Sequence, residues 1–224
     1  PGGYCGVEML NGRHLPNGMR GHFVLNDYKA NSVRRFALKA DGSGYRLEWK
    51  EPLLKSSHRN FRPVDVKVGP DGALYIADFY NPIICHQDDY FRDPTRDFHH
   101  GRIWRLSVKD TPAVPLPKIV GAKTPELLEL LKSPERWTRQ QAKNELAQRP
   151  IAKVSTAINR WVNKLDPVDE LHDRHLLEAL AACATMESVQ PKLLERVLRA
   201  KDHRARAFAA RIAGRWQDRL ENPM

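Results

Sequence analysis

The chain has 224 residues and three cysteines, and no run approaches the roughly 18 apolar residues that a membrane-spanning helix needs. Because the cysteines are odd in number and widely spaced, they exclude a disulfide-rich scaffold and a cysteine-based zinc cluster. The formal net charge of +10 is divided between residues 1–110, with 17 Lys and Arg against 13 Asp and Glu, and residues 111–224, with 20 against 14. Without a basic tail or a dense basic run, this charge does not favour nucleic-acid binding.

Glycine and alanine divide the chain into two halves. Of the 13 Gly, 11 precede residue 110, whereas 16 of the 21 Ala follow it. Because turns use Gly and helices favour Ala, this shift predicts a β domain over 1–109 and an α domain over 124–224. The residues between them, 110–123, contain three closely spaced prolines and predict an extended, semi-rigid linker.

Short segments of alternating hydrophobicity predict strands in the first half. They lie at 22–27, 32–39, 45–50, 63–68, 73–78 and 101–108. The first two form a hairpin across the turn at Tyr28–Asn31. The order of strand and turn residues recurs, which predicts about two blades of a β-propeller. A closed propeller needs at least about four blades, so further blades or another chain would have to complete the ring.

Helical periodicity predicts six helices in the second half. Thr124 is expected as an N-cap with Pro125 at the first helical position, and Ser133 opens the second helix. Further helices are expected at 151–165, 171–186, 189–200 and 203–220. Arg139-Gln-Gln-Ala142 matches Arg206-Ala-Phe-Ala209 at a separation of two helical hairpins. The pattern predicts a HEAT-like α-solenoid of about three helix pairs.

A polar segment, residues 78–102, interrupts the strand pattern. It contains three of the nine His, five Asp and three Arg. Three interpretations are open: a metal site, a redox site where His and Arg face an anionic cofactor, and ion pairs that only hold the shape of the loop. Cys85 beside His86 does not predict a nucleophile pair, because side chains adjacent in sequence point apart.

These segments resemble a known family. Phe61–Asp65, Gly69–Ile84 and Arg92-Asp-Pro-Thr-Arg-Asp-Phe-His-His-Gly-Arg-Ile-Trp-Arg105 resemble the large, secreted "membrane-bound dehydrogenase" proteins of planctomycetes and verrucomicrobia. Residues 133–142 and 203–216 are similar to the helical repeats of that family. In it, a propeller resembling soluble PQQ-dependent sugar dehydrogenases precedes HEAT-like repeats and often a cytochrome c domain. The chain matches the last blades and the first helical repeats.

The resemblance implies a fragment of a periplasmic or secreted sugar or alcohol dehydrogenase. In the complete propeller it implies PQQ and Ca²⁺, with electrons leaving to a cytochrome c, whereas this chain has no haem attachment signal and is expected to be inactive alone. The sequence begins at Pro1 and shows no signal peptide pattern. We therefore expect it to come from the inside of a longer protein. The expected proton-transfer residues are His86, Asp97 and His99, the expected cofactor-binding residues are Arg96, His100 and Arg102, and the expected metal ligands are Asp78 and Asp93.

Two other functions remain open. In the first, the propeller rim and solenoid form a non-catalytic scaffold that binds a protein or glycan, with a protein partner on the helical repeats. In the second, weaker one, a basic groove of the solenoid binds nucleic acid. The residues expected to line that groove are Arg136, Arg139, Arg204, Arg206 and Arg211.

Overall fold

The computed structural model describes residues 3–84 and 92–220. It divides the chain into two compact units, Pro1–Leu116 and Pro117–Met224. The first unit contains two antiparallel sheets, and the second contains six helices within the described residues. The described helices are all too short or too polar to cross a membrane.

The first unit has a four-stranded sheet and a three-stranded sheet, each with its strands in sequence order. The strands are β1 Tyr4–Met9, β2 Phe23–Asp27, β3 Ser32–Asp41, β4 Gly44–Lys55, β5 Pro63–Val68, β6 Leu74–Asp78 and β7 Arg102–Leu106. The predicted hairpin is confirmed, because Phe23 pairs with Phe36 and Asp27 with Ser32 across β2 and β3. Strand β1 was not predicted. Its register shifts around Gly6, whose φ of +56° interrupts the alternation that reveals a strand.

Apolar side chains from both sheets form the core of the first unit. Leu10, Val24, Val33, Val66 and Ile76 are fully buried. All but Leu10 lie on strands, where alternate residues face the same side of a sheet. The packing therefore follows directly from the alternating pattern of the sequence.

The first residues of the predicted linker lie against the sheets. Val114 donates its backbone N–H to the carbonyl of Asp71 at 2.9 Å. The buried ring of His14 accepts from the N–H of Val108 at Nε2, while its Nδ1 lies 3.1 Å from the carbonyl of Pro112. These contacts place residues up to 116 in the first unit, so only the remainder of 110–123 lies beyond it.

The second unit contains the six helices in the order that the periodicity predicts. They are α1 Thr124–Leu130, α2 Arg136–Ala147, α3 Ile151–Val162, α4 His172–Thr185, α5 Pro191–Leu198 and α6 His203–Trp216. Helix α4 packs against both α2 and α6, and α1 packs against α3. Their shared core includes the fully buried side chains of Leu127, Leu146, Ile158, Leu180 and Leu194.

The expected N-cap at Thr124 is wrong. The N-cap of α1 is Lys123, because the carboxylate of Glu126 accepts the Lys123 N–H at 2.6 Å and starts the helix one residue earlier. The hydroxyl of Thr124 instead accepts a hydrogen bond from Arg149 at 2.9 Å. Pro125 still lies in the first turn, where its missing N–H leaves no intrahelical bond unmade.

The internal repeat has a physical counterpart. Arg139 donates through one terminal nitrogen to the carbonyls of residues 133 and 134, at 2.8 and 2.9 Å. Arg206 repeats this contact with the carbonyls of residues 200 and 201, both at 2.8 Å. In both cases the arginine satisfies carbonyls before its own helix, and the alanine three residues later is fully buried.

A buried ion cluster joins α2 to α4. The carboxylate of Glu178 accepts hydrogen bonds from Arg139 and Lys143, each at 2.7 Å. Burial would raise the pKa of Glu178, but Lys143 and Arg139 outweigh it and hold that pKa below its ordinary value of 4.5. The cluster therefore stabilises the fold in the ionised state of Glu178.

Replacing Glu178 with Gln should lower the free energy of unfolding of the helical unit by about 3 kcal/mol, because two cations lose a shared buried partner. Urea unfolding followed by helical circular dichroism measures this. The control is Glu195→Gln, which removes an exposed pair with Arg199 and should cost less than about 0.5 kcal/mol. Equal losses in the two variants would contradict the structural role of Glu178.

The contribution of Glu178 should depend on pH. Because its folded-state pKa is lowered, the stabilisation is complete above pH 4.5 and is lost as the pH falls through the lowered value. The stability difference between the native chain and Glu178→Gln should therefore shrink as unfolding is measured at decreasing pH below 4.5. A stability difference that stays constant as the pH is lowered below 4.5 would show that the charge of the Glu178 carboxylate does not stabilise the fold.

Candidate functional site

The guanidinium group of Arg62 links the two sheets of the first unit. It donates to the carbonyl and the side-chain oxygen of the β2–β3 turn at Tyr28 and Asn31, at 2.9 and 3.1 Å. It also donates to the carbonyls of Asn81 and Pro82 after β6, at 3.1 and 2.7 Å. Burial lowers the pKa of Arg62, an effect that Asp78 opposes. Arg62 therefore fixes where the polar segment leaves the sheet.

Asp78 is buried at the end of β6 and uses both carboxylate oxygens. Its Oδ1 accepts the backbone N–H groups of Arg62 and Tyr80, at 2.8 and 2.9 Å. Its Oδ2 accepts the indole N–H of Trp104 at 2.9 Å, which connects β6 with β7. Because these donors come from three parts of the chain, Asp78 holds the sheet and the start of the polar segment together.

Tyr80 has the backbone conformation expected of glycine, with φ of +50°. Its ring stacks on that of His58 at 5.7 Å between centroids, and the guanidinium carbon of Arg102 lies 3.6 Å from the Tyr80 centroid. Such a conformation costs free energy in a non-glycine residue, so the surrounding contacts must hold it. The result is an exposed cation fixed on an aromatic face.

Asp97 and His100 form a side-chain pair in the loop before β7. Asp97 Oδ1 accepts the backbone N–H groups of His99 and His100 at 2.9 and 3.0 Å, and Nδ1 of His100 lies 2.8 Å from Oδ2. The pKa of Asp97 lies below its ordinary value because hydrogen bonds stabilise the ionised carboxylate. The largest contribution comes from the N–H of His99, followed by the side chain and the N–H of His100. The carboxylate therefore orients the His100 ring, whereas His99 contributes its backbone.

The remaining predicted site residues that the structure describes make local contacts of their own. Asp93 binds within its own turn, accepting the N–H and hydroxyl of Thr95 at 2.8 and 2.5 Å. Arg96 donates its backbone N–H to the carbonyl of Asp93 at 3.1 Å. His86 and its neighbour Cys85 lie outside the described residues.

The metal role of Asp78 and Asp93 stays a prediction that the described geometry does not favour. Both oxygens of Asp78 and the Oδ1 of Asp93 accept hydrogen bonds from other groups of the protein. Across residues 3–84 and 92–220, no group of three or more His, Cys, Asp or Glu side chains is arranged to hold a metal ion.

Three contributors to this site were not found from the sequence. Arg62 binds the chain where the polar segment begins, and the ring of Tyr80 contacts the guanidinium group of Arg102. The side chain of Asn81 donates to the carbonyl of Asp97 at 3.4 Å. None of the three carries a signal for these roles in the sequence, because their partners are brought to them by the fold.

Residues 2–110 match the model of a family described as a domain of unknown function (DUF7133). No curated protein and no solved structure matches the chain. The family match covers β1 to β7 and the polar segment, so the likeness concerns the sheet unit and its site.

Replacing Arg62 with Lys should loosen the polar segment, because a lysine cannot supply the fork of donors that reaches four acceptors. A loss of about 2 kcal/mol corresponds to roughly 30-fold faster amide exchange around residues 74–84. Hydrogen exchange with mass spectrometry measures it. The exposed neighbour Arg59 gives the control variant, Arg59→Lys, which should exchange like the native chain. Equal exchange in both variants would contradict the role given to Arg62.

Proposed function

We propose that the chain is part of an oxidoreductase that oxidises a sugar or alcohol hydroxyl, with His100 as the base that takes the hydroxyl proton. The observation that carries this proposal is the 2.8 Å contact between Asp97 Oδ2 and His100 Nδ1. A carboxylate at Nδ1 favours the tautomer in which Nε2 is the basic nitrogen. With the His100 side chain 70% exposed, Nε2 is accessible to a substrate.

The local charge supports proton transfer at His100. Asp97 stays ionised to a pH below its ordinary pKa, because two backbone N–H groups and the His100 ring bind the carboxylate. An ionised Asp97 stabilises the imidazolium that forms when His100 accepts a proton. The sequence-based assignment to His99 is replaced in this proposal, since only its backbone contacts Asp97.

The described residues fit one feature of an anionic quinone such as PQQ. The exposed guanidinium of Arg102 is stacked on Tyr80 and forms no ion pair among the described residues, so it can receive a carboxylate. A quinone held at Arg102 would supply the two-electron acceptor that oxidation of a hydroxyl requires. The described residues do not favour a Ca²⁺ site, because both carboxylate oxygens of Asp78 and Oδ1 of Asp93 accept hydrogen bonds from the protein, and among the described residues no group of three or more His, Cys, Asp or Glu is arranged to hold a metal ion.

The architecture also supports the resemblance. The strands of each sheet run in sequence order, as in propeller blades, and β5 packs against β1 and β2 of the first sheet. The paired contacts of Arg139 and Arg206 are consistent with HEAT-like repeats in the second unit. The secreted or periplasmic location and the cytochrome c acceptor belong to the same proposal.

A non-catalytic scaffold is the second candidate. The observation that favours it is the complete use of the Asp78 carboxylate in holding strands together, together with the local turn of Asp93. In that case the polar segment only maintains the shape of a surface that binds a protein or glycan.

A dye-linked assay of sugar and alcohol oxidation distinguishes the oxidoreductase from the scaffold. It uses the natural protein that contains this chain, supplied with PQQ. The variants His100→Gln and Asp97→Asn should lower kcat by about 10²-fold or more, because general base catalysis contributes that much. The control His99→Gln keeps the backbone N–H that Asp97 accepts and should change kcat less than about threefold. Absence of turnover in the native protein, or equal rates in all variants, would contradict the proposal and favour the scaffold.

A further inference from the structure

A basic cleft of about 450 Å³ lies across α2, α4 and α6 of the helical unit. Its volume is within the range of ligand sites. Five basic side chains and one acidic side chain line it: Arg136, Arg139, Lys143, Arg211, Arg215 and Glu178. The groove predicted from the sequence is thus formed only in part, because Arg204 and Arg206 are not in the lining.

The ion cluster of Glu178 forms a fixed part of the cleft wall. Arg139 and Lys143 both bind its carboxylate, and Arg139 also holds two backbone carbonyls. Two cations share one anion there, so the wall keeps a net positive charge while its side chains are immobilised. A ligand that binds beside this wall meets a preorganised positive field.

The lining of the cleft that α6 contributes combines cations with an apolar surface. The guanidinium carbon of Arg211 lies 5.0 Å from the ring centroid of Phe208, and both residues are on α6. Ile212 and Ala181 add further apolar lining. A ligand suited to this lining therefore carries anionic groups next to an apolar group.

Glu187 competes for one cation of the cleft. Its carboxylate binds Arg215 and, at 2.7 Å, Arg219. Glu187 follows the end of α4 with φ of +55°, a position at which glycine is the preferred residue. The N–H of Ser188 bonds the carbonyl of Cys183 and closes this helix end. A glutamate at a glycine position therefore places an acid where it can hold Arg215.

We propose that this cleft binds an acidic segment of a partner protein, in which carboxylate side chains alternate with apolar ones. The carboxylates pair with Arg211 and Arg215, displacing Glu187, and an apolar side chain packs on Phe208. Nucleic acid fits less well, because its affinity depends on many basic contacts to phosphates, whereas here Arg139 and Lys143 are bound to Glu178. Binding of such a segment involves only residues of the helical unit and does not depend on oxidoreductase chemistry in the sheet unit.

Fluorescence anisotropy with the full chain tests the proposal. The probe is a fluorescein-labelled octapeptide in which Asp and Leu alternate, and the reference is the same peptide with Asn in place of Asp. The native chain should bind the Asp peptide, with an affinity that falls as salt rises, and the Asn peptide at least about tenfold more weakly. The double variant Arg211→Gln, Arg215→Gln should weaken binding of the Asp peptide by about tenfold.

Two further variants separate this site from a general charge effect. Glu187→Gln should tighten binding about twofold to fivefold by releasing Arg215. Arg204→Gln removes one positive charge from the same helix outside the cleft and should bind like the native chain. The proposal would be overturned if the affinity were the same for the Asp and Asn peptides, or the same for the native chain and the double variant. Tighter binding of labelled oligothymidylate than of the Asp peptide would overturn it in favour of nucleic acid.

Discussion

The carboxylate of Asp78 is the constraint around which the sheet unit is arranged. A buried carboxylate must be satisfied by donors, and Asp78 obtains them from the segment before β5, from Tyr80 and from the indole of Trp104 on β7. Tyr80, which donates its N–H to Asp78, has a positive φ, and its ring carries the guanidinium group of Arg102. The guanidinium of Arg62 then extends the network to the β2–β3 turn.

The elements of the fold could be predicted because their patterns are local. Alternating apolar residues mark β2 and β3, and prolines in the first turns of α1 and α5 mark helix starts. The match between Arg139 and Arg206 was also visible, and both arginines hold carbonyls that precede their helices. Strand β1 was missed because Gly6 introduces a bulge that the alternation rule does not anticipate.

The candidate site could be located but not assembled from the sequence. Its residue types are concentrated in one segment, yet their roles depend on partners supplied by the fold. Asp78 was expected to bind metal, whereas its partners Arg62 and Trp104 are 16 and 26 residues away along the chain. The choice between His99 and His100 at Asp97 depends on side-chain direction, which neighbouring positions in a loop do not determine. The two units thus present separate chemistries: an oriented imidazole beside a stacked cation, and a basic cleft with a fixed ion cluster.

The most direct test of the central role of Asp78 is the indole N–H resonance of Trp104 in the NMR spectrum of the isotope-labelled chain. We expect a hydrogen-bonded proton that exchanges slowly with solvent and whose resonance shifts clearly in the variant Asp78→Asn, because the charged acceptor is lost. An indole proton that exchanges as quickly as that of free tryptophan, and does not respond to Asp78→Asn, would contradict the central role of Asp78.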